Sequence, residues 1–249
     1  MTEGPQAKVH ALRVSSLEGR RVERVVSKRE ELRALEGRAL EGVVTHGKNI
    51  VLLFGELALR VHLLMFGGLA VCARAEECPT DRLRLMLVFN EGALSIYRQA
   101  SLELSKREEL LGRLRSSLGP DPLGIWSEEE FIRRLRAKGE EKVGGALLDQ
   151  GVAAGVGNIL RNEILFLAGV SPERPVRELS EEEVVKIARI TYEYTNDYFR
   201  ALLAGRRERE LHSVYMRAKK PCPRCGTPIK MFYQKPHGRK TFYCPSCQR

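Results

Sequence analysis

The chain has 249 residues, a formal charge of +10, 43% hydrophobic and 30% charged residues, enough for a buried core in two domains or in one domain with an appendage. Such a composition excludes a disordered chain, and no apolar run approaches the roughly 20 residues that span a bilayer. The head, Met1-Thr2-Glu3-Gly4-Pro5, lacks the basic and apolar blocks of a signal peptide, so an intracellular protein of the cytoplasm or nucleoid is expected, with its thiols reduced. The charge is unevenly placed. Residues 206–249 hold twelve Lys/Arg against two Glu, which puts the whole net charge of +10 in this stretch. A basic end that also carries a metal motif points to phosphate.

In chain order, residues 6–17 are expected to form a helix that stops at Gly19. Residues 22–26, 40–46, 49–54, 57–61, 69–71, 82–89 and 93–96 then read as strands. They are short, rich in Val and Leu, and punctuated by Gly47, Gly55, Gly67-Gly68 and Glu91-Gly92, the pattern of a sandwich or barrel. The character changes at Leu118-Gly119-Pro120-Asp121-Pro122, a turn-rich break. Helices follow: one capped by Ser127 with Glu130 and ending near Gly139, one at 147–150, one at 158–168, and a long one capped by Ser180 with Glu183 and ending near 203. Two strands at 229–233 and 240–243 close the chain as a hairpin.

Cys222-Pro-Arg-Cys225 and Cys244-Pro-Ser-Cys247 form a C-x2-C…C-x2-C pattern, the arrangement by which two knuckles on a hairpin supply zinc with a tetrahedron of thiolates. With all four positions filled by sulfur no place remains for a metal-bound water, so one structural Zn2+ is expected. Cys72 and Cys78 show no such pattern and are expected to be ordinary thiols. Arg239 lies at the hairpin turn in the most basic part of the chain, where a guanidinium can fork onto a phosphate. In the run 147–161, Gly151, Gly155 and Gly157 let the chain turn twice before Asn158 opens a helix. Free N–H groups at that N-terminus, with the Asn158 amide, make a site for one phosphate; a plain glycine-rich connection explains the run equally well.

Several separate stretches together carry a resemblance. Gly155-Val-Gly-Asn158 resembles the helix–two-turns–helix motif of the formamidopyrimidine-DNA glycosylase/endonuclease VIII family. The closing Gly-Arg-Lys-Thr-Phe-Tyr-Cys-Pro-Ser-Cys-Gln resembles its zinc finger, the head resembles its Met-Pro-Glu-Gly-Pro opening, and Gly119-Pro-Asp-Pro-Leu123 is similar to its interdomain segment. The resemblance runs from residue 2 to 248 in order. It implies an α+β chain: an N-terminal two-layer β-sandwich with flanking helices (1–120), a helical helix–two-turns–helix DNA-binding domain (121–217), and a zinc-braced β-hairpin (218–249).

The resemblance also implies roles. Asn158 and Arg239 hold phosphates flanking a lesion. Lys48, in Thr-His-Gly-Lys, contacts DNA near the reaction centre, and Glu163 is a carboxylate close to the site. Leu64-Met65-Phe66, after His62, plugs the gap left by a flipped base; without the resemblance, the trio reads as a buried strand end. The implied activity is base-excision repair by a glycosylase and abasic-site lyase acting on double-stranded DNA as a monomer. The α-amine of residue 2, freed by removal of Met1, attacks C1′ and forms a Schiff base, with Glu3 giving acid/base help. An α-amine, with a pKa of about 7.7–8.0 against about 10.4 for lysine, is partly unprotonated at neutral pH.

The sequence departs from the family in having Thr2 where the family has Pro and Gln6 where it has Glu. Weak strand cleavage is therefore expected, Lys48 is a candidate substitute nucleophile, and a catalytically impaired damage-binding protein of the same fold is the alternative. An Asp-Pro-Arg-Arg-Phe-type loop is missing after Ile96-Tyr97, and residues 206–212 are short and charged. Both features place the chain nearer the endonuclease VIII branch and oxidised pyrimidines.

Overall fold

A computed structural model describes residues 2–236 and 238–249; Met1, whose removal the amine chemistry requires, lies outside them. The chain divides into two compact units, one holding Thr2 and Gln6–Ser116, the other Glu3–Pro5 and Ser117–Arg249. Helix α1 (Gly4–Val14) is followed by β1 (Val22–Val26), β2 (Gly42–His46), β3 (Asn49–Phe54), β4 (Leu57–His62), β5 (Gly68–Cys72), β6 (Leu83–Phe89), β7 (Ala93–Tyr97), β8 (Ser101–Lys106) and α2 (Arg107–Ser117). The strands make two four-stranded antiparallel sheets, ordered β1-β6-β7-β5 and β2-β3-β4-β8. One core joins them: Val22, Leu85, Leu87, Phe89 and Ile96 from the first sheet, Ile50, Leu52, Phe54, Leu59 and Val61 from the second, and Ala7, Ala11 and Val14 from α1. The expected two-layer β-sandwich with flanking helices is present. Strand β8 and helix α2 had no counterpart in the sequence reading: in Ser-Leu-Glu-Leu-Ser-Lys only Leu102 is fully buried, too little apolar signal to mark a strand.

Cys72 and Cys78 are joined by a disulfide, with Cα atoms 5.6 Å apart, which corrects the expectation of ordinary thiols. A 3-10 turn at Ala75–Glu77 returns the chain to the end of β5, and the bridge sits in an apolar cluster with Met86 and Ala93.

In the same unit the His10 ring is largely buried, and burial, with Arg13 nearby, lowers its pKa to about 4. Unfolding restores a value near 6.5, so between these values the unfolded chain binds the proton first and stability falls with pH. From pH 7.5 to 5 the loss is about 2 kcal/mol. Thermal melts of His10→Asn should show a flatter acid limb than the parent; equal slopes would mean His10 does not drive it.

The second unit contains α3 (Glu128–Arg136), α4 (Val143–Ala146), α5 (Asn158–Ala168), α6 (Glu181–Leu203) and the hairpin β9 (Lys230–Gln234) and β10 (Arg239–Tyr243). At the start of the long helix both halves of the capping box form, Ser180 with Glu183. At α3 only half does: Ser127 accepts from Glu130 N at 3.2 Å, but the Glu130 carboxylate turns to Arg133 and Arg134 instead. The helix expected at 147–150 lies earlier, at Val143–Ala146. Its successors turn through the glycine-rich run to α5, which packs against α6 around Leu160, Ile164, Ile187 and Ala188. Among the described residues no helix is long and apolar enough to cross a membrane.

Candidate nucleic-acid interface and zinc centre

The four zinc-pattern cysteines converge. All their Sγ atoms lie within 4.8 Å of one another; Cys225 and Cys247 are 3.4 Å apart, Cys225 and Cys244 3.5 Å, Cys222 and Cys247 3.9 Å. A tetrahedron with Zn–S bonds of about 2.3 Å has edges of about 3.8 Å, so the donor set fits one Zn2+. Its role is to hold the hairpin, since four thiolates leave no open position. The knuckle also grips α5: Arg224 donates to Phe166 O at 2.9 Å and stacks over the Phe166 ring at 4.4 Å, satisfying carbonyls at the helix end. Stripping zinc with a strong chelator should therefore destabilise the second unit by several kcal/mol and abolish DNA binding. A melt and a DNA titration before and after zinc release would test this; unchanged binding would separate the zinc from the interface.

Around the start of α5 the second unit gathers Glu3, Asn158, Arg161, Tyr215, Arg239 and Thr241. Glu3 is 1% exposed, and its carboxylate accepts from Ile159 N at 2.6 Å and Leu160 N at 3.0 Å. The positive end of the helix dipole complements this charge. The expectation that these amides stand free for a phosphate is thereby corrected: Glu3 occupies them. Gly157, the helix N-cap, is what admits it, because a Cβ there would lie 2.5–2.7 Å from the Glu3 side chain.

Asn158 is 5% exposed. Its Nδ2 donates to Lys240 O at 3.0 Å, and its Oδ1 accepts from Arg161 at 2.6 Å. Arg161 is fully buried and was missed by sequence reasoning. It donates to Gly144 O at 2.9 Å and Thr241 Oγ1 at 2.8 Å, while its Nε has no partner among the described residues. Burial lowers its pKa to about 10, opposed by the nearby Glu3 charge, so it remains a cation at neutral pH. The available signal was an arginine three residues after Asn158, on the same helical face.

Arg239, at the head of β10, makes no hydrogen bond or ion pair through its guanidinium among the described residues. Its charge reaches both Arg161 and Tyr215. The cluster thus holds two cations against the single carboxylate of Glu3, a surplus of positive charge.

Glu163 corrects a second expectation. It is fully buried, and its carboxylate accepts from Ser213 N at 2.8 Å, Val214 N at 3.0 Å and Tyr215 N at 2.8 Å. Desolvation raises its pKa against these hydrogen bonds. It holds the backbone leading to Tyr215 and presents nothing to a DNA surface.

In the first unit, Gly47 and Lys48 form the two-residue turn between β2 and β3, with His46 opposite Asn49 and Gly47 at φ 58°, a conformation glycine accepts at the first turn position. Lys48 is half-buried, and its charge, after burial, helps lower the pKa of His62. His62 Nδ1 accepts from Leu64 N at 3.2 Å, fixing the start of the apolar trio. Leu64, Met65 and Phe66 are 45%, 39% and 64% exposed; they are not a buried strand end. Thr2 is half-exposed.

Comparison with known proteins agrees with this layout. Family models match at residues 1–100 (formamidopyrimidine-DNA glycosylase N-terminal domain), 118–196 (formamidopyrimidine-DNA glycosylase H2TH domain) and 219–249 (zinc finger found in FPG and IleRS). The chain is 34% identical to a protein of Streptomyces coelicolor named probable endonuclease 8 2, over 86% of this chain and 80% of that one. It is 34% identical to the formamidopyrimidine-DNA glycosylase of Geobacillus kaustophilus, over 86% and 82%. Among solved structures, Lactococcus lactis Fpg in complex with abasic-site DNA matches with a TM-score of 0.89 and 25% identity, over 99% of both chains. The chain therefore belongs to the formamidopyrimidine-DNA glycosylase/endonuclease 8 family.

Proposed function

We propose that the protein is a base-excision repair enzyme, a glycosylase with abasic-site lyase activity that reacts through the α-amine of Thr2. The observation that carries this reading is the Glu3 carboxylate seated on the first amides of α5, in one cluster with Asn158 and Arg239, a cation whose guanidinium has no partner among the described residues. The peptide bond from Glu3 leads directly to the reacting amine, and the surplus positive charge suits flanking phosphates. The names of relatives and the abasic-site DNA bound by the Lactococcus protein support it. Asn158 and Arg239 grip phosphates, Lys48 contacts DNA near the sugar, and Leu64, Met65 and Phe66 fill the space of the extruded base.

Borohydride trapping on abasic-site DNA tests the chemistry. A covalent adduct that disappears when the N-terminus is blocked is expected; no adduct at any pH would leave a damage-binding protein that does not cleave. Arg239→Ala should weaken DNA binding and make the slope of log K against log salt shallower by about one, as loss of one phosphate contact requires. An unchanged slope would remove Arg239 from the interface.

Oxidised pyrimidines are the proposed lesions. The segment after α6 is short, and it is tied back to that helix: Tyr194 Oη donates to Leu211 O at 2.9 Å, and the His212 ring stacks on Tyr198. So held, it has little freedom to fold over a larger oxidised purine. Excision of thymine glycol is expected to exceed that of 8-oxoguanine; the reverse order would overturn the assignment.

A further inference from the structure

Residue 2 is a threonine, half-exposed, with a hydroxyl that makes no hydrogen bond among the described residues. One peptide bond later the chain is fixed. Glu3 is clamped by two amides of α5, and Gly4 N donates to Gly155 O at 2.9 Å. The backbone that carries the reacting nitrogen is thus anchored immediately downstream, while the threonine side chain stays uncommitted. In threonine the α-nitrogen and Oγ1 are separated by two carbons. A carbon bonded to that nitrogen is one bond short of a five-membered ring with Oγ1, and an intramolecular hydroxyl so placed acts at a high effective molarity.

We propose that Thr2 stores the C1′ carbon of an abasic site as an oxazolidine, which makes the protein a reversible covalent cap on abasic DNA and a slow strand cleaver. The proposal rests on the Schiff-base reading above and adds a second role for the same residue. The amine adds to the C1′ aldehyde, and the carbinolamine loses water to give the C1′=N imine. The Oγ1–H bond then adds across C1′=N: Oγ1 bonds to C1′, and the proton ends on nitrogen. The step is an isomerisation of the imine, with no oxidant and no net proton exchange. C1′ is now saturated, so the proton at C2′ is no longer adjacent to an electron-withdrawing C=N bond. Elimination of the 3′ phosphate waits until the ring reopens. A prolyl iminium has no side-chain hydroxyl and no N–H, and this store is closed to it.

Abasic-site DNA labelled with 13C at C1′ tests the proposal, using the full chain whose intact mass shows that Met1 has been removed. The parent and Thr2→Ser should show C1′ as a saturated carbon flanked by nitrogen and oxygen, and Thr2→Val should show it as an imine. Strand scission per borohydride-trapped adduct should rise about tenfold in Thr2→Val and stay at the parent level in Thr2→Ser. An imine signal in the parent, with scission per adduct equal to that of Thr2→Val, would overturn the oxazolidine and leave the Schiff base standing. Retained Met1, or no trapped adduct in the parent, would overturn both.

Discussion

Arg161→Ala is expected to destabilise the second unit by about 4 kcal/mol, among the largest single-residue effects in the protein. The guanidinium is fully buried and ties Asn158 Oδ1 on its own helix to two places distant in sequence, Gly144 O in α4 and Thr241 Oγ1 on the zinc hairpin. Truncation leaves three buried acceptors without their donor and opens a cavity where a long side chain had packed, and both terms run the same way. The midpoint of thermal unfolding should fall by roughly 10 °C. Arg161→Lys, which keeps the charge but reaches one acceptor at a time, should lie between the two. DNA affinity should fall further than stability requires, because Asn158 loses the contact that orients its amide. The decisive measurement is DNA binding well below the melting transition of the variant. Parent-like affinity there, or a melting loss under 1 kcal/mol, would show that Arg161 is not the strut.

Residues such as Arg161 mark where the sequence stops being readable. Zinc ligation could be read from four cysteines because the spacing itself encodes a tetrahedron, and the strands of the sandwich could be read where Val and Leu dominate, as in β3, buried along its whole length. Arg161 and Glu163 look from the sequence like solvated positions on a helix. Their burial is decided by Thr241 and by the 213–215 backbone, which arrive from 50 to 80 residues away. The Cys72–Cys78 bridge was hidden for a different, local reason: its cysteines match no metal spacing, and only the 3-10 turn at Ala75–Glu77 brings them together. Glu3 was named from the head motif, yet its seat on α5 could not be, because it depends on the missing Cβ of Gly157. Local patterns announce ligands and strands; partners supplied by distant segments do not.

Glu3→Gln is expected to lower turnover by about 10² to 10⁴-fold while leaving the fold in place. The parent carboxylate offers acceptors to both Ile159 N and Leu160 N. Glutamine keeps one acceptor and turns an NH2 toward the other amide, a loss of about 1–2 kcal/mol in helix capping. That cost is too small to explain a collapse of activity, which is why the substitution separates two roles. If Glu3 only caps α5, turnover should follow stability, and Glu3→Ala should be the worse variant on both counts. If the charge of Glu3 also acts on the sugar, where positive charge develops as the base departs, Glu3→Gln should fail in base removal even when saturated with DNA. It should still bind abasic-site DNA within about tenfold of the parent, since Asn158 and Arg239 are untouched. Single-turnover excision and equilibrium binding measured on the same variant decide between them. Parent-like single-turnover rates in Glu3→Gln would reduce Glu3 to a helix cap and leave the acid/base role without a residue in this cluster.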